Sequence, residues 1–289
     1  MRYTVNHKTT YRYSAMVHQS YHLLHLSPCA TPFQTVHSHL ITSDPVSAHI
    51  KEGTDYFGNP YRIMTVEKDH KELVVDATTH LTVEQKAPTP GDLEKSANWQ
   101  ELRDGALADK SVLQYTAGSR HGRRLAALGN YASASFPDGT PILVGTQALM
   151  QRVFEEFTFD PSATDVSTPV ETVFEARRGV CQDFAHLMIS ALRSLGLPAR
   201  YVSGYILTHP PPGQPRLQGA DASHAWVSVW APDFGWVDFD PTNNVIPHGE
   251  HVTIAYGRDY DDVSPISGVL LGGGAHTVEV SVDVAPDTV

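Results

Sequence analysis

Cys181, Phe184, Ala185, Met188, Ala191, Leu192 and Leu195 recur at steps of three and four, a spacing met by a helix with one apolar face. Gly179 supplies a turn just before the run, and Gly196-Leu197-Pro198 stops it, because glycine accepts the backbone of a helix end and proline cannot continue a helix. The period then changes at once. Residues 199–207 form an apolar run, residues 223–230 alternate, Asp233-Phe234-Gly235 makes a turn, and residues 236–240 return, ended by Pro241. These are a buried strand and a hairpin. A helix followed by antiparallel strands that can cover its apolar face confines this part of the chain to an α+β arrangement.

That helix begins with a thiol. Cys181 in the first turn meets unpaired backbone N–H groups and the positive end of the helix dipole, which favour the thiolate, the nucleophilic form. A nucleophile of this kind needs a base and a group that orients the base. His224 lies near the start of the alternating strand, and the hairpin puts Asp240 on the neighbouring one, where a carboxylate can hold an imidazole. Asp238 shares the strand face of Asp240, so alternation does not separate the two. Taken singly, each residue has a plainer reading: a core cysteine, a histidine satisfied at a strand end, an aspartate at a turn before proline.

Gly179-Val180-Cys181-Gln182-Asp183-Phe184-Ala185, His224-Ala225-Trp226 and Trp236-Val237-Asp238-Phe239-Asp240-Pro241-Thr242 resemble the three core blocks of the transglutaminase-like superfamily. The resemblance is to its bacterial branch, whose members are often described as candidate cysteine proteases. Tyr56-Phe57-Gly58-Asn59 and the alternating start of the chain resemble the N-terminal β domain of that branch, so the resemblance spans nearly the whole sequence. It implies a papain-like core with Cys181 as nucleophile and His224 as base. Because the family motif sets its aspartate directly before Pro-Thr, it implies Asp240 as the third member. The implied activity is thiol-dependent acyl transfer on amide bonds through a thioester, with hydrolysis by a protease or amidase expected first. Amine transfer to glutamine side chains is the alternative, and a non-catalytic binding module is a third reading. Gln182 stands where the animal cross-linking enzymes carry tryptophan, and their additional β domains are missing. Calcium dependence is therefore not carried over, and no cofactor or metal is expected.

The first 87 residues have another period. Tyr3, Val5, Tyr11 and Tyr13 alternate with polar residues, strand-like runs follow at 35–41, 61–66 and 73–83, and residues 55–60 form a turn between two such runs. An all-β N-terminal domain, a sandwich or barrel, is expected over 1–87. Lys86-Ala87-Pro88-Thr89-Pro90-Gly91-Asp92 reads as the linker to a catalytic domain over 88–289. Helices are expected at 102–115, 122–135, 142–157 and 170–176, and a last strand at 276–284. The proline- and glycine-rich stretch from His209 to Ala220 is expected to cover the cleft.

Twenty-one Lys and Arg against 32 Asp and Glu leave a formal net charge of −11, which argues against nucleic acid or an anionic membrane as partner. A peptide or protein amide is the expected substrate. No stretch approaches the roughly 20 apolar residues of a membrane span, and the start lacks the apolar core of a signal peptide, so a cytoplasmic location is expected. Cys29 and Cys181 are the only cysteines, and both are expected reduced. Trp226, beside His224, is the candidate to line the cleft, whereas Trp230 and Trp236 read as sheet core. His186 and Asp183 fall off the thiol's side of the helix and read as structural. Arg177 and Arg178 read as partners of surface carboxylates. The N-terminal histidines, among them His18, His22 and His25, complete no ligand pattern.

Overall fold

The computed structural model describes residues 1–84, 86–104, 109–208 and 223–287. Strands β1 (Arg2–Leu24), β2 (Gln34–Asp44), β3 (His49–Thr54), β4 (Pro60–Val66) and β5 (His70–Val83) come first. Helices α1 (Pro90–Glu94), α2 (Trp99–Asp104), α3 (Lys110–Leu113), α4 (Ala126–Ser133) and α5 (Ile142–Glu156) follow. Then β6 (Thr158–Phe159), α6 (Val170–Ala176) and β7 (Arg178–Gly179) lead to α7 (Cys181–Ser194). The chain continues with β8 (Ala199–Ile206), β9 (Ser223–Ala231), β10 (Gly235–Phe239), β11 (His251–Gly257), α8 (Tyr260–Val263), β12 (Ile266–Gly272) and β13 (His276–Pro286).

β1 organises a seven-stranded sheet in the order β2-β5-β1-β4-β3, with β12 and β13 also paired to β1. Its first half lies between β5 and β13, and its last residues between β4 and β12. The register against β5 shifts between Arg12 and Val17, where the strand exchanges partners, and the sheet curls there. The C-terminal strands β12 and β13 thus join the sheet of the N-terminal half. They pair with β1, because a central strand of this length needs partners on both sides. Their turn is Gly272-Gly273-Gly274, all three at positive φ (99°, 82° and 63°), a backbone that residues with a Cβ rarely adopt.

The second sheet is antiparallel in the order β10-β9-β8-β11. Ala185, Met188 and Leu192 of α7 share one buried cluster with Ala199, Tyr201, Val227 and Val229 of this sheet, as alternation along β8 and β9 requires. Tyr3, Val5, Leu81, Val83, Val282 and Val284 of the N-terminal sheet belong to the same cluster, so one core joins both sheets. Side-chain amides complete the joint at β11, the edge of the second sheet. Gln34 donates to the Thr253 carbonyl at 2.7 Å and accepts from the Thr253 N–H at 2.9 Å. Asn59 does the same with Tyr256, at 2.7 and 2.8 Å. Asp55 in turn holds Asn59 through its side-chain and backbone N–H groups. These amides stand in for the missing neighbouring strand.

Several elements differ from the sequence expectation. α2 and α3 stand where one helix was expected at 102–115, with residues 105–108 outside the described set, and α4 is shorter than 122–135. β3, β11, β12 and α8 were not anticipated: β3 and β12 are almost wholly exposed and β11 almost wholly buried, so none alternates. The expected cleft-covering stretch at 209–220 lies outside the described residues. In the linker, Thr89 caps α1 by accepting from the Asp92 N–H, while the Asp92 carboxylate accepts from the Thr89 N–H, a reciprocal pair that starts a helix.

Candidate active site

Two neighbours fix the start of α7. β7 pairs in parallel with β6 through Thr158–Arg178 and Phe159–Gly179, which sets the approach of the chain. Asp183, third in the helix and buried, accepts from the Val180 N–H at 2.8 Å and from the Thr164 hydroxyl at 2.6 Å. Burial raises the Asp183 pKa in spite of these bonds. Gly179 has no freedom to be larger, because a Cβ there would lie 2.7 Å from the Asp183 carboxylate. Cys181 is half-buried at the first helical position. Gln182 turns away from it and donates to the Val166 carbonyl at 3.2 Å.

The hairpin of β9 and β10 brings the other two residues to this point. Phe239 pairs with Val227, which sets Asp240 opposite Trp226 and diagonal to His224, within reach of a long side chain. His224 Nε2 donates to Asp240 Oδ2 at 2.7 Å, and both side chains are buried. With Nε2 so used, the other ring nitrogen is left for the Cys181 thiol, which is among the groups that raise the His224 pKa. Burial alone would lower the His224 pKa, but the Asp240 charge and hydrogen bond, aided by Cys181, lift it well above its ordinary value of 6.5. For Asp240 burial would raise the pKa, and the His224 and His251 contacts bring it well below the usual carboxylate range.

Asp240 is held by more than His224. Its Oδ2 also accepts from Asn243 Nδ2 at 2.7 Å and His251 Nε2 at 3.1 Å, and its Oδ1 accepts from the backbone N–H groups of Thr242 at 2.9 Å and Asn243 at 3.3 Å. Sequence reading passed over Asn243 and His251. Asn243 closely follows the Asp-Pro-Thr block, whereas His251 heads a strand with no alternating pattern. The ligand atoms of His224, Asp240 and His251 lie within 4.8 Å of one another, which is the one grouping of metal-ligating type among the described residues. Both imidazoles, however, already donate to Asp240 Oδ2.

Trp226 has a different place from the expected cleft wall. It is fully buried, donates to Asp238 Oδ2 at 3.1 Å and meets the His251 ring edge-on at 5.2 Å between centroids. It lies over Gly204, where a Cβ would come within 2.4 Å of the indole. Alternation turns Trp226 to the face of β9 that this glycine leaves open, so it forms the floor under the histidines. The same bond occupies Asp238, leaving Asp240 as the carboxylate on His224. His186 is buried against His121, accepts from the Tyr260 N–H at 3.2 Å, and is lowered by burial to a pKa of about 3. Arg177 pairs with Glu156 at 3.3 Å and lies over the rings of Phe157 and Phe174, and Arg178 lies 3.7 Å from Asp160. Cys29 is free and buried, its thiol pushed up to about 12 by that burial.

Known proteins resemble this chain in sequence and in fold. Residues 135–241, which contain Cys181, His224 and Asp240, match the model of the transglutaminase-like superfamily, and residues 3–82 match that of the bacterial transglutaminase-like N-terminal region. An uncharacterized protein of Mycobacterium tuberculosis is 37% identical over 99% of this chain and 93% of its own length. A protein-glutamine gamma-glutamyltransferase of Pseudomonas aeruginosa is 35% identical over 42% of this chain and 19% of its own length. Among solved structures, a candidate cysteine protease from Cytophaga hutchinsonii superposes with a TM-score of 0.80 at 20% identity, covering 100% of this chain and 91% of that one. By fold, by both matched regions and by a relative alike along its whole length, the chain belongs to the transglutaminase-like superfamily, in the bacterial branch that carries this N-terminal region.

Proposed function

We propose that the protein is a thiol-dependent hydrolase of amide bonds in peptides or proteins, with Cys181, His224 and Asp240 as its triad. The observation that carries this reading is the buried His224–Asp240 bond of 2.7 Å, with the thiol at a helix start, Cys181, among the groups that raise His224. His224 takes the thiol proton, and the sulfur attacks the amide carbon to give a tetrahedral oxyanion. The unpaired N–H groups at the start of α7, that of Cys181 first among them, are placed to receive that charge. Collapse expels the amine or ammonia, to which His224 returns its proton, and leaves a thioester on Cys181. Water, deprotonated by His224, then attacks the thioester, releasing the carboxylic acid and restoring the thiol. Asp240 holds the Nε2–H tautomer of His224 and stabilises the imidazolium.

A second reading, amine transfer to glutamine side chains, is favoured by the likeness to the Pseudomonas enzyme. It shares every step up to the thioester, which an amine then resolves in place of water. Alkylation by a small haloacetamide tests the common step. Cys181 is expected to react fast well below the ordinary thiol pKa of about 8.5, and His224→Ala to lose that advantage. Cys29, buried and raised to about 12, is the slow internal control. Equal rates for Cys181 with and without His224 would remove both enzyme readings. Incorporation of a primary amine into a glutamine peptide, measured against ammonia release, separates transfer from hydrolysis.

A further inference from the structure

At the opposite end of the strands from the candidate triad lies a cavity of about 430 Å³, in the seam between the two sheets. β8, β9 and β10 form one wall with Arg200, Trp236 and Asp238, and the N-terminal half closes it with Cys29 and Phe57. Gly204 pairs with His224 and Arg200 pairs with Ser228, so the cavity's arginine stands four residues along β8 from the histidine's partner, roughly 13 Å at 3.3 Å per residue.

Arg200 is held there in an unusual way. Its guanidinium lies 3.6 Å from the ring centroid of Tyr256 and 4.3 Å from that of Trp236, a stacked position that leaves its edge free. Its Nε is buried with no hydrogen-bond partner, and so is the hydroxyl of Ser228 across from it. Other guanidinium groups of the chain meet carboxylates, Arg62 with Glu52 and Arg258 with Asp262 among them. Asp238, the acidic group of the cavity wall, is engaged by Trp226 instead. A planar cation with unused donors, aimed into an aromatic-walled cavity, has the chemistry to hold a carboxylate whose body is flat and apolar.

We propose that this cavity is a binding site for such a carboxylate, separate from the triad, with the anion on Arg200 and the apolar body among Phe57, Trp236 and Tyr256. The carboxylate belongs either to a small aromatic acid or to the C-terminus of a peptide ending in an aromatic residue, and the site chemistry is common to both.

The test uses 3-phenylpropionate and its uncharged amide, with the intact protein, followed by calorimetry and by the indole N–H signals of the four tryptophans. The acid is expected to bind about tenfold or more tighter than the amide, since a hydrogen bond to a charged partner is lost. It should shift the Trp236 signal while leaving Trp99, which lies on α2, in place. Arg200→Gln is expected to erase the preference for the acid, with Cys181 alkylation unchanged as the check on folding. A pentapeptide ending in Phe, free or amidated, forms the second arm: tighter binding than 3-phenylpropionate assigns the site to chain ends, and equal or weaker binding assigns it to small acids. Equal affinity for acid and amide in both arms, no binding by either acid, or a shift that spares Trp236 would overturn the proposal, and these readouts stand even if the Arg200 variant does not fold.

Discussion

Asp240 accepts from two imidazoles, one side-chain amide and two backbone N–H groups while wholly buried. So many donors around one carboxylate fix its charge and its direction, and through it the ring of His224. Asp240→Asn keeps the shape but removes the charge that raises His224 and offers an N–H where the ring needs an acceptor. The proposed amide hydrolysis should fall by about 10⁴-fold, the scale known for such an exchange, with the fold retained by circular dichroism. The same pair makes stability depend on pH. The His224 pKa is raised on folding, so the stabilisation is complete below about 6.5 and is lost as the pH rises through the elevated value. That of Asp240 is lowered, so its share is present above the ordinary carboxylate range and lost as the pH falls below it. Denaturant midpoints for the wild type and Asp240→Asn should therefore converge at both extremes of pH. A constant gap would mean that the His224–Asp240 charge pair does not stabilise the fold.

At the scale of elements, α7 packs into the core and carries the candidate nucleophile, and its two ends are secured differently. At the start, Gly179 leaves room for the Asp183 carboxylate to bond the Val180 N–H. Gly179→Ala pushes that carboxylate away, and the expected result is a loss of about 1–3 kcal/mol together with slower Cys181 alkylation. A full loss of alkylation with unchanged stability would place the role of Gly179 in the chemistry rather than in the helix start. Near the other end, Arg193 is fully buried and donates to the carbonyls of Tyr115, Ala199 and Arg258. One guanidinium thus ties the helix to the segment after α3, to the start of β8 and to the turn between β11 and α8. Burial lowers its pKa to about 10, which still leaves it charged at neutral pH.

The whole molecule is built on β1. It pairs with β13 and supplies Tyr3 and Val5 to the core that includes α7, while the sheet around it brings the Gln34 and Asn59 amides to the open edge of the second sheet. Replacing both amides by alanine leaves the backbone groups of Thr253 and Tyr256 unpaired, and about 2–4 kcal/mol of stability should be lost, read as a lower denaturant midpoint. Unchanged stability would mean that water replaces both amides and that the sheets are joined by the apolar core alone. Much of this protein was legible in its sequence. The Cys181 helix, its glycine–proline stop and the β9–β10 hairpin follow from local periodicity and turn chemistry, which act over a few residues. Local order also brought His224 and Asp240 together, because both lie on one hairpin. Residues that contribute from afar left no such trace. His251 supports Asp240 from a strand with no alternation, β12 and β13 cross the whole chain to pair with β1, and Arg200 faces its cavity only because two sheets meet there. Trp226 reads in sequence as a neighbour of the catalytic histidine, but which face of a strand looks outward depends on what covers it. By itself, then, the sequence determined the local elements and the order of the candidate catalytic residues. Only the tertiary structure decided which buried groups surround them, because long-range pairing and burial are set by surfaces that distant segments bring together.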